Sequence, residues 1–416
     1  MKKVTELCFT VEQTDDNFVG IKYNKGDVKI IFPLGYRIPN TTKECKKSIK
    51  QLLRTIKLVN EKKIDFEDSG EYNNQAKGLP IDSYQWIIRD YLNNGIYVDN
   101  EKIFIQDNKN KINWKRTFKR RFLIDKKSLI YLELIVEKNN NIKNIISEIH
   151  AYCVDKSLQA LFFLYDNISK ISNIKHPNLE YYYRIINKEL LNIFDDRKKM
   201  LFHHMKRIIE EAMDSTGKND IKDYGIRHFE YAWEYMVNKV YGTENVRQYY
   251  PRSTYHLCNI GDFDASNLRP DTIMKDNDNI YILDSKYYKT SLALNNNNNK
   301  FSLKELLPST DSIQKQITYG DFVYKNYKNK EHINKIYNAF IIPYNKEKND
   351  LINESQNIEF IGYATANWKE LDIESEEYLK IAIILIDTKY LIDSFFNNLS
   401  DKEILIANIK KVNNYK

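Results

Sequence analysis

Glycine is scarce, at 12 of 416 residues, and neither G-x-x-x-x-G-K-[ST] nor G-x-G-x-x-G occurs. That excludes a P-loop and a dinucleotide-binding turn in this chain. Any nucleotide hydrolysis coupled to it must come from another polypeptide. Four cysteines (Cys8, Cys45, Cys153 and Cys258) are widely scattered, with no C-x-x-C pair. Neither a zinc ribbon nor a disulfide framework is supported, and free thiols fit a reducing cytoplasm, the expected compartment. There is no apolar run of helix-spanning length, and the N-terminus MKKVTELCFTVEQ has no long apolar segment. Neither secretion nor membrane spanning is expected. His203 and His204 are adjacent, so on a helix they point about 100° apart and do not chelate together. No H-E-x-x-H follows them, and no internal repeat is found.

What is present is length and a mild excess of cations. A chain of 416 residues predicts two or three domains with ample cores. The net charge of +7 and pI near 8.8 favour a polyanionic partner without requiring one. The 31 tyrosines, with abundant Asn, Lys and Ile, are accounted for by an AT-rich gene. Short strands are expected at Leu7 to Val11, Phe18 to Tyr23 and Val28 to Phe32, joined by hairpin-type turns at 14–17 and 24–27. Pro33 ends the third strand. Thr41 or Thr42 caps a helix to about Val59, residues 60–80 read as loop, and Ile81 to Asn93 reads as a helix. Gly95 to Val98 and Lys102 to Ile105 read as paired strands, reminiscent of a winged-helix edge, and Ser128 to Val136 as another strand. Helices follow at about 143–166 and 177–214. Thr216 to Asp220 is the expected linker. It separates an α+β N-terminal region, 1–215, from a C-terminal α/β module, 221–416. The asparagine tract Asn295 to Asn299 reads as a loop.

The stretch richest in chemistry is Arg269-Pro270-Asp271 followed by Asp284-Ser285-Lys286. Asp271 opens an apolar run, the polar turn 275–279 comes next, and Ile280 to Leu283 leads into Asp284. A hairpin of that shape sets Asp271 near Asp284, and period-two alternation puts Asp284 and Lys286 on one face. Two carboxylates and an ammonium suit a hard divalent cation and a polarised water, with the Ser285 carbonyl as a further oxygen ligand. Phosphodiester hydrolysis develops charge that Mg²⁺ or Mn²⁺ neutralises, and a lysine orients the attacking water. The plainer reading of a D-x-K at a strand end is a solvated turn. Asp387-Thr388-Lys389 is read that way, because no Pro-Asp pair precedes it at the right distance.

Upstream, Phe229, Trp233, Met236, Val237 and Val240 recur at three and four, forming one helical stripe. Glu230 and Glu234 flank it. Either can supply a third carboxylate, and at least one can be an ordinary solvated glutamate. Downstream, Gln316 and Tyr319 lie on a helical stretch, an amide and a phenol that near a scissile phosphate can position the water and the DNA backbone.

Together these pieces resemble the PD-(D/E)xK nuclease superfamily, and more narrowly the LlaJI-type restriction endonucleases and related McrC nuclease subunits. The resemblance runs over about 223–330, through Phe229-Glu230 and Trp233-Glu234, Arg269-Pro270-Asp271, the strand 282–288, and Lys315, Gln316 and Tyr319. It implies a mixed sheet flanked by helices, with Asp271 and Asp284 as metal ligands and Lys286 as the catalytic lysine. Glu230 or Glu234 would be the helix carboxylate. The spacing from Gln316 to Tyr319 is one residue shorter than in RecB-like relatives. The resemblance further implies a separate McrB-like AAA+ GTPase partner and a role in phage defence.

The basic stretch lies elsewhere. Residues 109–121 carry seven cations and no acid, with Trp114 and Phe118 interleaved. Lys111, Lys115, Arg116, Lys119 and Arg120 suit phosphate contact, and Trp114 suits stacking. A solvated basic face with Trp114 in the core, or a protein-facing surface, is the alternative. The expected function is therefore a Mg²⁺-dependent endonuclease of a restriction system acting on double-stranded DNA with a GTPase partner. The alternatives are a single-chain type II enzyme, a repair or mobile-element nuclease, and a non-enzymatic subunit that regulates a GTPase.

Overall fold

A computed structural model describes residues 9–13, 18–24, 27–62, 79–107, 109, 111–125, 128–142, 145–165, 170–172, 174, 176–191, 193–214, 221–288, 307–328, 333–348, 356–372 and 376–414. Residues 63–78 of the loop expected at 60–80, the linker at 216–220 and the asparagine tract lie outside the described residues. The chain divides into two compact units, Met1–Asn74 with Gly225–Lys416, and Gln75–Tyr224. Its second crossing falls between Tyr224 and Gly225. Its first comes at residue 74, so the opening strands group with the C-terminal module.

The first unit starts with β1 (Phe9–Gln13), β2 (Val19–Asn24) and β3 (Asp27–Phe32). β2 and β3 form the hairpin expected at 24–27. β1 departs from expectation, because it pairs with β3 in parallel. A hairpin to β2 would leave that edge of β3 uncovered, and β1 covers it. Helix α1 (Thr42–Lys62) is capped by Thr41, whose hydroxyl accepts from Glu44 N–H at 3.3 Å. Just before it, Gly35 has φ of 72°, and a Cβ there would meet Thr388 Oγ1 at 2.7 Å and the Tyr344 backbone at 2.8 Å. Only glycine allows that backbone approach. Leu34 N–H donates to Tyr287 Oη at 2.6 Å, and Thr388 Oγ1 donates to Leu34 O at 2.8 Å. Arg54 stacks on Phe396, 4.4 Å from the ring centroid. These contacts explain why the opening residues group with the last 192.

The second unit runs through α2 (Ile81–Asn94), β4 (Asp99–Gln106), β5 (Lys111–Ile112), the single turn α3 (Trp114–Thr117), β6 (Phe122–Asp125), β7 (Ser128–Tyr131), β8 (Ile135–Ile142), α4 (Ile145–Ala160), α5 (Leu179–Leu190) and α6 (Asp196–Asp214). The expected hairpin at 95–105 is absent. β4 is one eight-residue strand, and it pairs along its length with β8. The expected strand 128–136 breaks at 132–134, giving β7 to a hairpin with β6 and β8 to β4. The expected helix 177–214 is two helices. Asn178 caps α5 through Tyr181 N–H, and Asp195 accepts from Lys198 N–H at 2.8 Å to start α6. α2, α4 and α6 bury Ile87, Ile149, Cys153, Met205 and Ile209.

The chain then enters β9 (Ile221–Ile226), which spans the division, and α7 (Phe229–Tyr241), β10 (Thr254–Leu257), β11 (Gly261–Asp264), β12 (Thr272–Asp276), β13 (Asn279–Ser285), α8 (Thr310–Tyr327), β14 (Lys335–Tyr344), β15 (Ile358–Ala364), β16 (Ile381–Asp387), α9 (Thr388–Asn397) and α10 (Lys402–Lys410). A mixed five-stranded sheet has the order β12-β13-β14-β16-β15. Its outer pairs are antiparallel, and β13, β14 and β16 are mutually parallel. β16 is buried at every position, as a central parallel strand covered on both faces should be. α8 adds Ile317 and Val323 to the cluster built on Ile280, Ile282 and Phe340. Across the sheet, the Trp233 indole donates to Ile341 O at 3.3 Å. The predicted α/β architecture, a mixed sheet flanked by helices, is present.

Candidate active site

The site is built at one end of β12 and β13. Asp271 precedes β12, which pairs antiparallel with β13 in the register Thr272–Leu283. That register carries Asp271 alongside Asp284. Asp271 Oδ2 accepts the Ser285 N–H at 2.7 Å, so the backbone of one site strand holds the carboxylate of the other. Asp284 and Lys286 share a face, and Lys286 Nζ lies 2.8 Å from Asp284 Oδ2. Both are largely buried, with side chains 14 % and 21 % exposed, enough to reach solvent while escaping full screening.

Helix α7 delivers the third carboxylate. The predicted stripe is its buried face: Phe229, Trp233, Met236 and Val237 are fully buried. Glu234 lies within electrostatic reach of Asp284 and Lys286, and Asp271 feels Asp284 and Glu234. Burial, then the Asp284 charge, pushes Glu234 up to about 7. Burial, then Asp284 and Glu234, holds Asp271 well above the usual carboxylate range, against the pull of its Ser285 hydrogen bond. Burial works to lower the Lys286 ammonium, but Asp284 and then Asp271 outweigh it, and the net shift is upward. Glu230 instead turns one oxygen to His228 Nδ1, 2.9 Å away. Of the two glutamates, Glu234 is the one coupled to both aspartates.

Asp271, Asp284 and Glu234 thus repel one another in a partly buried place. Among the described residues no three His, Cys, Asp or Glu side chains close into a metal cage. Asp271, Asp284 and the Ser285 carbonyl are hard oxygen donors, the type a hard divalent cation takes.

Gln316 and Tyr319 brace this arrangement. Gln316 is fully buried on α8 and donates through Nε2 to Ile282 O at 2.6 Å, two residues before Asp284. Tyr319, 5 % exposed, donates its hydroxyl to Arg269 O at 3.2 Å, two residues before Asp271. Both side chains point inward to the site strands. Asp387 is an N-cap: its carboxylate accepts from Tyr390 N–H at 2.9 Å and Lys346 N–H at 3.1 Å.

In the second unit, the basic stretch is exposed. Trp114 is 50 % and Phe118 58 % exposed, so Trp114 is not a core residue. Lys111, Lys115, Lys119 and Arg120 are also exposed. The Arg116 guanidinium stacks 3.9 Å from the Phe104 centroid. Sequence reasoning passed over Arg247 and Arg252 and gave Arg269 no role of its own; these arginines line two clefts, one of which has Asp271 in its wall, and the ribbon β10–β11 was passed over as well. Its signal was legible: Asn259 and Gly261, both at positive φ, sit between two runs that alternate polar and apolar. No helix among the described residues is long and apolar enough to cross a membrane.

Comparison with known proteins places these features. Residues 18–387 match the family described as LlaJI restriction endonuclease. A Bacillus subtilis (strain 168) protein, the type II restriction enzyme BsuMI component YdjA, is 26 % identical over 182 residues. That match covers 41 % of this chain and 36 % of the relative, little more than a third of its length. A structure of Thermococcus gammatolerans McrB AAA+ hexamers with bound McrC aligns over 92 % of this chain and 83 % of the matched chain, with 13 % identity and a TM-score of 0.34. With the family match running from β2 to the end of β16, the chain belongs to the LlaJI restriction endonuclease family.

Proposed function

We propose that the unit carrying Asp271, Asp284 and Lys286 is a PD-(D/E)xK nuclease module that hydrolyses phosphodiester bonds of double-stranded DNA within a restriction system. One observation carries this reading. The hairpin register brings Asp271 beside Asp284, with Lys286 ion-paired to Asp284 and Glu234 charge-coupled to both aspartates. Asp271, Asp284 and the Ser285 carbonyl would hold Mg²⁺ or Mn²⁺, which would neutralise charge on the non-bridging phosphate oxygens. Lys286 donates toward the attacking water or the developing oxyanion and keeps its proton through its pairing with Asp284. Glu234 is the helix carboxylate of choice, and it accepts a proton near neutral pH. Gln316 and Tyr319 position the strands that carry the acids.

A second protein completes the proposal. The chain has no P-loop, and its motifs resemble McrC-type subunits, so an AAA+ GTPase of McrB type is its expected partner. Residues of 1–215, with the exposed basic stretch, supply DNA or partner contacts. The test is cleavage of supercoiled plasmid by the purified chain, with and without that GTPase and GTP, in Mg²⁺, Mn²⁺ or EDTA. Asp284→Ala and Lys286→Ala should abolish cleavage and leave DNA binding intact. Wild-type rates in Asp284→Ala would end the site assignment. Rapid specific cutting without partner or nucleotide would favour a single-chain restriction enzyme.

A further inference from the structure

A cationic trough leads away from Asp271. One cleft of about 670 Å³ is lined by Lys239, Glu244, Arg247, Tyr250 and Asp271 among others. A second, of about 450 Å³, is lined by Arg247, Tyr250, Arg252, Asn267 and Arg269. They share Arg247 and Tyr250, so they join into one trough. It starts at a candidate metal ligand and ends at the base of the β10–β11 ribbon. Among the described residues, none of Lys239, Arg247, Arg252 and Arg269 forms an ion pair, and all three arginines are exposed. Glu244 is the acid on its wall besides Asp271. Unpaired guanidinium groups gathered in a concave surface repel one another and favour an anion with several oxygens.

The ribbon has two unlike faces. Tyr255 stands opposite Phe263, and Thr254 and His256 stand opposite Asp264 and Asp262. Alternation therefore puts Tyr255, Leu257 and Phe263 on one face and the acids on the other. The acids are internally satisfied: Thr254 Oγ1 donates to Asp264 at 3.1 Å, and His256 Nδ1 lies 2.8 Å from Asp262. The apolar face is uncovered, with Tyr255 60 %, Leu257 46 % and Phe263 46 % exposed. Ala265 N–H donates to Ser253 O at 2.7 Å and Leu268 N–H to Pro251 O at 3.1 Å. These bonds tie the ribbon's base to the residues flanking Arg252 and Arg269.

We propose that this ribbon and the arginines at its base are the DNA-docking element of the nuclease unit. Arg247, Arg252 and Arg269 take consecutive backbone phosphates leading to Asp271, and the Tyr255/Phe263 face enters a groove of the duplex. The inference rests on the nuclease reading for its substrate class, and duplex DNA is the occupant for two reasons. The charge complementarity of the trough calls for a polyanion beside the acids that would cut it. A two-stranded ribbon also has the width that a major groove admits, and an apolar side chain can contact a thymine methyl there.

The experiment is fluorescence anisotropy of a labelled duplex with the full chain in EDTA, across a salt series, so that binding is read without cleavage. The triple variant Arg247→Ala/Arg252→Ala/Arg269→Ala should lose about 0.9 of the salt slope per arginine. The corresponding triple lysine variant should keep the slope, because each phosphate is still neutralised. Tyr255→Ala/Phe263→Ala should bind about tenfold more weakly at every salt concentration, with the slope unchanged. Circular dichroism melts establish that the variants are folded. A wild-type slope in the alanine triple, a reduced slope in the lysine triple, or wild-type affinity in the Tyr255/Phe263 double variant would overturn the proposal. Wild-type DNA affinity together with failed capture of the GTPase partner would also overturn it, assigning the surface to protein. Metal-dependent plasmid cleavage judges the nuclease reading separately.

Discussion

Replacing Glu234 with glutamine should stabilise the protein, and only when its carboxylate would be ionised and uncompensated. The side chain sits against Asp284 and Asp271 in a partly buried place, and its pKa rises from the ordinary 4.5 to about 7. A carboxylate whose folded pKa lies above its unfolded one contributes full stability below the unfolded value. That stability is lost as pH rises from about 4.5 to about 7. At about 1.4 kcal/mol per unit, the ionised group destabilises the folded state by roughly 3 kcal/mol. Glu234→Gln removes the charge and keeps the shape, so in EDTA at about pH 8 it should melt about 5 °C above wild type. The difference should vanish near about pH 4, where both side chains are neutral. Adding Mg²⁺ at about pH 8 should raise the wild-type melting temperature more than that of the variant, since a cation relieves the same repulsion. Equal melting in EDTA at about pH 8 would show that Glu234 is not in the carboxylate cluster, and the site geometry would fail with it.

Three further outcomes are expected. Asp387→Ala removes the α9 cap, so it should lower stability by about 1 kcal/mol while specific activity is retained; absent cleavage in a folded variant would promote Asp387 to the site. Neutralising Lys115, Arg116, Lys119 and Arg120 together should reduce the salt slope of duplex binding by about 0.9 for each phosphate left without its cation, and an unchanged slope would move this stretch to a partner interface. His150 is fully buried, and its Nδ1 accepts the Tyr97 N–H at 2.9 Å. Burial lowers its pKa from 6.5 to about 4, so its stabilising contribution is complete above about 6.5 and is lost as pH falls toward 4; urea melts should show a flatter acid limb in His150→Gln, and identical limbs would refute this.

The hairpin between Asp271 and Ser285 was legible because everything it needs is local. A polar turn, an apolar strand on each side and period-two alternation fix which residues face each other, with no distant contact to override them. The α7 stripe was legible for the same reason. β4 was not, because Asp99–Gln106 finds its partner 29 to 43 residues away in β8, and alternation does not name a partner. The grouping of the opening strands with the last 192 residues rests on single contacts, such as Leu34 with Tyr287 and Thr388. Those join residues more than 250 positions apart, and nothing in either segment's pattern announces them. The break between α5 and α6 had one local signal, the capping residue Asp195, which the reading of a single helix over 177–214 passed over.

The choice between Glu230 and Glu234 shows where sequence reading stops. The two are one helical turn apart and flank the same stripe, so pattern treats them alike. The structure separates them: Glu230 lies against His228, which is held at φ of 62° at the start of α7, while Glu234 is charge-coupled to Asp284 and Asp271. Gln316 and Tyr319 make a related point from the opposite side. Residue type suggested that an amide and a phenol would position the water and the DNA backbone, whereas the structure shows both bonded to backbone carbonyls of the protein, at Ile282 in β13 and at Arg269 just before β12. A cluster of mutually repelling carboxylates pushes its own strands apart. Two hydrogen bonds from one helix, that of Gln316 buried and that of Tyr319 partly so, together with Ser285 N–H on Asp271, oppose that push and hold the acids close together. If the proposed cation binds there, it would relieve a repulsion that the sheet and α8 otherwise hold.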